Sequence, residues 1–253
     1  MKHGKLIGWT LVVLFVSICS SCLHDIDSVY NPGISVAVMR HHGDSAMMMA
    51  NTRFGWLYAP TFSSHSDGQC YLLDFIYDPN LPENKDAEEK GFYTVEIKGE
   101  KVVDRHEIIE KQTEESKLLS NEQAVLAVNP NDSALFVMLE NYLFLPSACL
   151  TTEGRSLDWQ MTYDLRKSVT AENKKSVYAL YLRVVATNEK PEGVEVKPLP
   201  FLNAFDLTNV VRDIKEQTGR ESDTYIQIHY VNWINPSDSA HFEWQKTEPL
   251  KIN

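Results

Sequence analysis

The side chains with most chemistry to offer are the thiols of Cys19, Cys22, Cys70 and Cys149 and the adjacent imidazoles of His41 and His42. His41-His42-Gly43-Asp44 has the composition of a metal site. Neighbouring residues on an extended chain point to opposite faces, however, so the two rings do not converge on one ion. His106, His229 and His241 stand alone, and His229 falls on the polar side of a strand whose apolar side carries Ile226, Ile228 and Tyr230. All three read as surface residues. A nucleophile would need a strained Gly-x-Ser-x-Gly turn, a Cys beside a His, or Ser-x-x-Lys. The nearest serines, Ser116 and Ser120, sit in a charged stretch without such context. Acid pairs such as Asp104 and Glu107 are expected by chance in a chain with 35 Asp+Glu. A hydrolase of surface polysaccharide would need paired carboxylates facing one cleft. Glycine loops that cradle phosphates or dinucleotides are missing. The sequence therefore predicts no enzyme, no metal and no cofactor.

One thiol does have a chemical context. Residues 1–5 are basic, residues 6–18 are mostly apolar but too short to span a bilayer, and small Ser20 and Ser21 then precede Cys22. This layout resembles the loose lipobox of Bacteroidetes lipoproteins, in which a signal peptide is cut before a cysteine carrying a diacylglycerol. It implies a signal peptide over residues 1–21, lipidation of Cys22 and a tether over residues 22–32. The partner so implied is a membrane, reached through more than one acyl chain, as stable anchoring requires. Asp25 and Asp27 resemble a weak surface-export signal, so the cell envelope, and within it the outer membrane, is the expected location.

Cleavage would change the charge balance. The 24 Lys+Arg less Lys2 and Lys5 leave 22 against 35 Asp+Glu, a formal charge of −13. Such a surface repels nucleic acid, and no basic stripe offsets it. Beyond Cys22 there is no CxxC or Cys/His zinc spacing. Cys70 and Cys149 either pair, closing a loop of about 80 residues worth about 4 kcal/mol in the chain-entropy model, or remain two buried thiols.

Period-two alternation dominates the rest, which predicts an all-β chain. Strands are expected over residues 34–39, 46–50, 55–58 and 69–78, with residues 79–90 an acidic loop. Residues 92–109 read as a hairpin turning at Lys98-Gly99-Glu100. Together these predict a small barrel over residues 33–112. Residues 111–122 are charged and suit a linker. A β-sandwich is expected over residues 123–253, with strands at 134–145 (apolar on both faces), 157–163, 177–186, 201–207, 224–233 and 241–245. The exception is one short helix at 208–217, where Val210, Val211 and Ile214 have helical spacing.

With Gly91-Phe92-Tyr93-Thr94-Val95, Leu157-Asp158-Trp159-Gln160-Met161, Val177-Tyr178-Ala179-Leu180-Tyr181 and Asn203-Ala204-Phe205-Asp206-Leu207, the chain resembles the NigD-like lipoproteins of Bacteroidetes. The resemblance implies an OB-like barrel followed by a β-sandwich. It supplies no catalytic residues, and its link to bacteriocin operons implies self-protection as an alternative role. The leading expectation is a non-enzymatic envelope lipoprotein that presents a surface to a protein or glycan.

Two further features bear on that surface. Trp233 and Trp244 flank the turn Asn235-Pro236-Ser237-Asp238 and form a candidate binding patch, whereas Trp56, Tyr58 and Trp159 read as core. Asp-Ser followed by a small or aliphatic residue occurs at Ser28, Ser45, Ser133 and Ser239, where average composition gives about one match. These resemble Bacteroidetes O-glycosylation acceptors, although Asp-Ser also begins turns.

Overall fold

The computed structural model describes residues 29–43, 47–129, 133–167, 169–171, 175–218 and 224–252. Cys22, Ser28, Ser45 and Asp44 lie outside these residues. Strands β1 (Tyr30–His41), β2 (Met48–Thr52), β3 (Gly55–Tyr58), β4 (Cys70–Tyr77) and β5 (Phe92–Glu110) close on themselves in the order β1-β2-β3-β5-β4-β1. The β3–β5 pair is parallel and the others are antiparallel, as in a five-stranded OB barrel. Alternate residues fill the interior, among them Ala37, Met39, Leu57, Leu73 and Val95. A 3-10 turn, Pro60–Ser64, follows β3 and tucks the fully buried Phe62 under one end of the barrel. The acidic loop carries one helical turn, α1 (Ala87–Lys90), closed by Gly91 at φ 74°, a left-handed conformation that favours glycine.

The expected hairpin at Lys98-Gly99-Glu100 does not form. β5 is one strand of 19 residues. Asp74 pairs with Gly99 but Phe75 with Ile97, so Lys98 is an extra residue in a bulge against β4. Glycine at a bulge lets a strand bend around a barrel corner. The bent strand then leaves the barrel and supplies the next two sheets.

Those sheets use β6 (Val125–Val128), β7 (Val137–Leu139), β8 (Tyr142–Thr151), β9 (Leu157–Tyr163), β10 (Val169–Ala171), β11 (Lys175–Ala186), β12 (Lys197–Asp206), β13 (Thr224–Ile234), β14 (Phe242–Lys246) and β15 (Leu250–Ile252). Asp104 to Glu107 of β5 pair with β12, which continues to β8 and then β6 and β7. Ile108 to Glu110 pair with β9, which continues to β11, β13 and β14. The two sheets face each other across a core that includes Leu143, Leu145, Met161, Leu180, Leu182, Phe205 and Ile228. The predicted helix is α2 (Thr208–Thr218), begun by the Thr208 N–H donating to Asp206 Oδ1 at 2.9 Å and held by buried Val210 and Ile214.

Residues 134–145 are likewise not one strand. Glu140, at φ 55°, and Asn141 turn the chain between β7 and β8, and Leu139 pairs with Tyr142. The run is apolar on both faces because β8 is buried on both. Leu143 and Leu145 face the sandwich core, while Tyr142 and Phe144 meet Val36, Val38, Cys70 and Val103 on the outer wall of the barrel. Arg40 of β1 reinforces this contact, donating to Glu140 Oε2 from Nε (3.0 Å) and Nη2 (2.9 Å). Burial opposes its charge, but the Glu140 carboxylate more than offsets that and raises the Arg40 pKa.

Candidate functional site

β5 belongs to both sheets, and where it passes from β12 to β9 the sheets splay and leave a cleft of about 350 Å³. Barrel residues Leu72 and Lys101 and sandwich residues Leu157, Trp159, Phe201 and Asn203 line it together. Its walls are aromatic, with Trp159 and Phe201 ring centroids 5.2 Å apart. Its floor is polar: His106 Nε2 lies 3.1 Å from Asn203 Oδ1. Asn203 is 3% exposed, and its Nδ2 has no hydrogen-bond partner. Lys101 and Asp104 place one charge of each sign among the cleft residues. Asp104 and Glu107 are three residues apart on one strand and so point to opposite faces, which does not make an acid–base pair. The site can hydrogen-bond and stack.

A second polar assembly lies on the outer face of the β9–β11–β13 sheet. The presumed linker is a strap whose Glu122 pairs antiparallel with Val185 along the edge of β11 and whose preceding residues meet the side chains of that face. The Gln123 N–H donates to Val184 O (2.8 Å), the Ala186 N–H to Asn121 O (3.0 Å), and Thr113 and Thr162 hydroxyls meet at 2.6 Å. Arg183 is at its centre, donating to Glu114 O (2.8 Å), Lys117 O (2.9 Å) and Glu122 Oε2 (3.0 Å). Burial raises the Glu122 pKa, with the Leu119 N–H and Arg183 acting against it.

Of the two readings of the cysteines, the structure takes the unpaired one. Cys70 and Cys149 are free and buried, one in the barrel–sandwich contact and the other in the sandwich core. Burial pushes both thiols up to about 12, so they stay protonated and unreactive.

Trp233 and Trp244 do not form one patch. Directly paired residues in an antiparallel ladder share a face. Trp244 pairs with Val231 and Trp233 with Glu243, so the two indoles occupy opposite faces of the hairpin. Trp244 serves the strap: its Nε1–H donates to Glu115 O at 3.0 Å and Arg183 lies 5.1 Å from its ring centre. Trp233 remains 42% exposed.

Of the proposed glycosylation serines within the described residues, Ser239 is exposed in a turn, and Ser133 is half-buried with its Oγ accepting from the Leu135 N–H at 3.2 Å. The His42 ring packs tilted against Trp56 (centroids 4.5 Å apart, planes at 45°), while the His41 N–H donates to Asp67 Oδ1. No group of three or more His, Cys, Asp or Glu able to hold a metal occurs among the described residues. His106 is not the surface residue expected, because its ring packs against Phe205. A polar Asn203 between Phe201 and Phe205 on one strand face was the available signal for a buried polar floor.

The barrel and its cleft define a two-part, all-β protein with an OB domain, and comparison with known proteins agrees. Residues 27–101 match the family of the lipoprotein OB domain. Among solved structures, the chain is similar to an uncharacterized protein from Parabacteroides merdae (16% identity, 87% of this chain and 97% of that one, TM-score 0.69). It is also similar to a candidate lipoprotein from Bacteroides fragilis (13% identity, 87% and 96%, TM-score 0.57). The NigD-like group expected from the sequence is represented by an immunity protein from Bacteroides caccae (10% identity, 88% and 93%, TM-score 0.45), a likeness too loose to argue from. A search among curated proteins finds no match. The first two likenesses extend over barrel and sandwich and establish the fold.

Proposed function

We propose that this chain is a lipid-anchored envelope protein that holds a partner in the junction cleft without transforming it, with a glycan as the favoured partner. The observation that carries the reading is a concave surface built jointly by both halves of the molecule, with aromatic walls over a buried amide–imidazole floor. Sugar hydroxyls suit such a floor, and sugar faces suit such walls. The match of residues 27–101 to a lipoprotein domain supports the envelope location, as does the candidate lipoprotein among the similar structures.

The test is photo-crosslinking in intact cells, with a photoreactive residue placed at Leu157, at the cleft, or at exposed Trp233. A glycan adduct at 157 and none at 233 is the expected result. A protein adduct at 157 would exchange the partner class, and adducts confined to 233 would end the cleft reading.

A further inference from the structure

Phe62 plugs one end of the barrel, and the other end is open. β3 runs from the open end toward the plug, and β4 runs back again. The opening is a cavity of about 190 Å³ lined by Tyr30, Pro32, Phe54, Phe75, Tyr77 and Tyr93. Tyr77 and Tyr93 meet edge to face with centroids 5.1 Å apart. Next to this mouth the entering chain exposes more apolar surface: Val29 is 58% and Tyr30 54% exposed. An open aromatic mouth of this kind, on a chain this acidic, calls for a covering.

We propose that the mouth rests on the phospholipid surface to which the chain is anchored. The inference depends on lipidation of Cys22. From Cys22 to Tyr30 is eight residues, which even fully extended reach only about 28 Å. Tyr30 is itself part of the mouth, so this end of the barrel is the part of the body closest to the anchor. Tyrosines also have the right chemistry, with an apolar ring to enter the acyl boundary and a hydroxyl to stay among head groups. The rim carries both signs, since the charges of Asp78 and Glu88 act on Tyr77 and the Arg53 guanidinium lies 4.7 Å from the Phe54 ring centre, on a chain whose formal charge is −11 overall. The surface it fits is therefore zwitterionic, and docking weakens as anionic lipid increases.

The experiment uses the mature chain coupled through Cys22 to maleimide-lipid vesicles of phosphatidylethanolamine and phosphatidylcholine, which supplies the anchor whether or not cells do. An environment-sensitive fluorophore is introduced by an unnatural amino acid at Phe54 or, as control, at Ser239, and bromine-labelled acyl chains serve as quenchers. Quenching at 54 but not at 239, lost in Tyr77→Ser/Tyr93→Ser with its circular dichroism unchanged and reduced by added phosphatidylglycerol, is the expected result. Equal quenching at both sites, or none at 54, overturns the proposal. So does a signal at 54 that follows protein density and not quencher, since that makes a second copy the occupant. Labelled palmitate incorporation into the wild type and Cys22→Ala in cells tests the anchor separately. Its absence would remove the lipidation reading while the vesicle result still reports on the mouth.

Discussion

The contact between barrel and sandwich and the contact between strap and sheet are both buried, yet they are built from opposite materials. The first is apolar, with Val36, Val38, Cys70, Phe144 and Ala204 meeting across it. The second converges on Arg183, whose guanidinium bridges the carbonyls of Glu114 and Lys117 and the carboxylate of Glu122. Apolar contact is proportional to area and indifferent to any one partner. A polar knot is directional, and losing one member leaves the others unsatisfied. The cleft lies beside the first kind of contact, so its walls should hold their separation while the strap can change.

Phe144→Ala strikes the apolar contact hardest. A fully buried aromatic cut to alanine costs about 3–5 kcal/mol, and denaturant unfolding should shift as one transition for both halves. Two separated transitions, only one of them moved, would break the claim that the halves are coupled. Arg183→Met should cost as much, about 3–5 kcal/mol, because it leaves the buried Glu122 carboxylate without its partner. Trp244 fluorescence and amide exchange over residues 111–123 should register the loss, with barrel amides unchanged.

The pH response sharpens the same contrast. Burial raises the Glu122 carboxyl above its ordinary 4.5. Its proton is thus bound more tightly folded than unfolded, and the associated stability is complete below 4.5 and declines as pH rises through the folded value. Strap exchange should accelerate over that window, and Glu122→Gln should flatten the profile. A profile unchanged by that substitution would assign the effect elsewhere. Glu140→Ala removes a partly exposed ion pair at the edge of the apolar contact, and its cost in a denaturation midpoint should be only about 1 kcal/mol.

Much of this architecture was legible in the residues. Alternation found most strands, and helical spacing at Val210, Val211 and Ile214 found α2. Two turns were exchanged, for one reason. Gly99 looked like a hairpin turn and is a bulge, whereas Glu140-Asn141 carries no glycine and makes the turn. The residue requirements of bulges and turns overlap, and only the partner strand decides between them.

The barrel–sandwich contact also left a trace that period-two reading passes over. Val36-Ala37-Val38-Met39 has no polar face at all, which is the pattern of a strand covered on both sides. The cleft was less visible, because Leu72, Lys101, His106, Trp159 and Asn203 come from four strands far apart in the chain. Asn203 alone marked it, as an amide on a face otherwise given to phenylalanine. Lipidation at Cys22 and glycosylation at Ser28 and Ser45 rest on residues outside those described.

Among the described residues tryptophans stand at 56, 159, 233 and 244, one on the barrel, one in the cleft wall, one exposed and one under the strap. Fluorine NMR of 5-fluorotryptophan-labelled protein, titrated with glycans released from the native envelope, therefore reports four regions at once. The expected result is a saturable shift of the Trp159 resonance with Trp233 and Trp244 unmoved. A shift of Trp233 or Trp56 with Trp159 silent would contradict the cleft as the binding site.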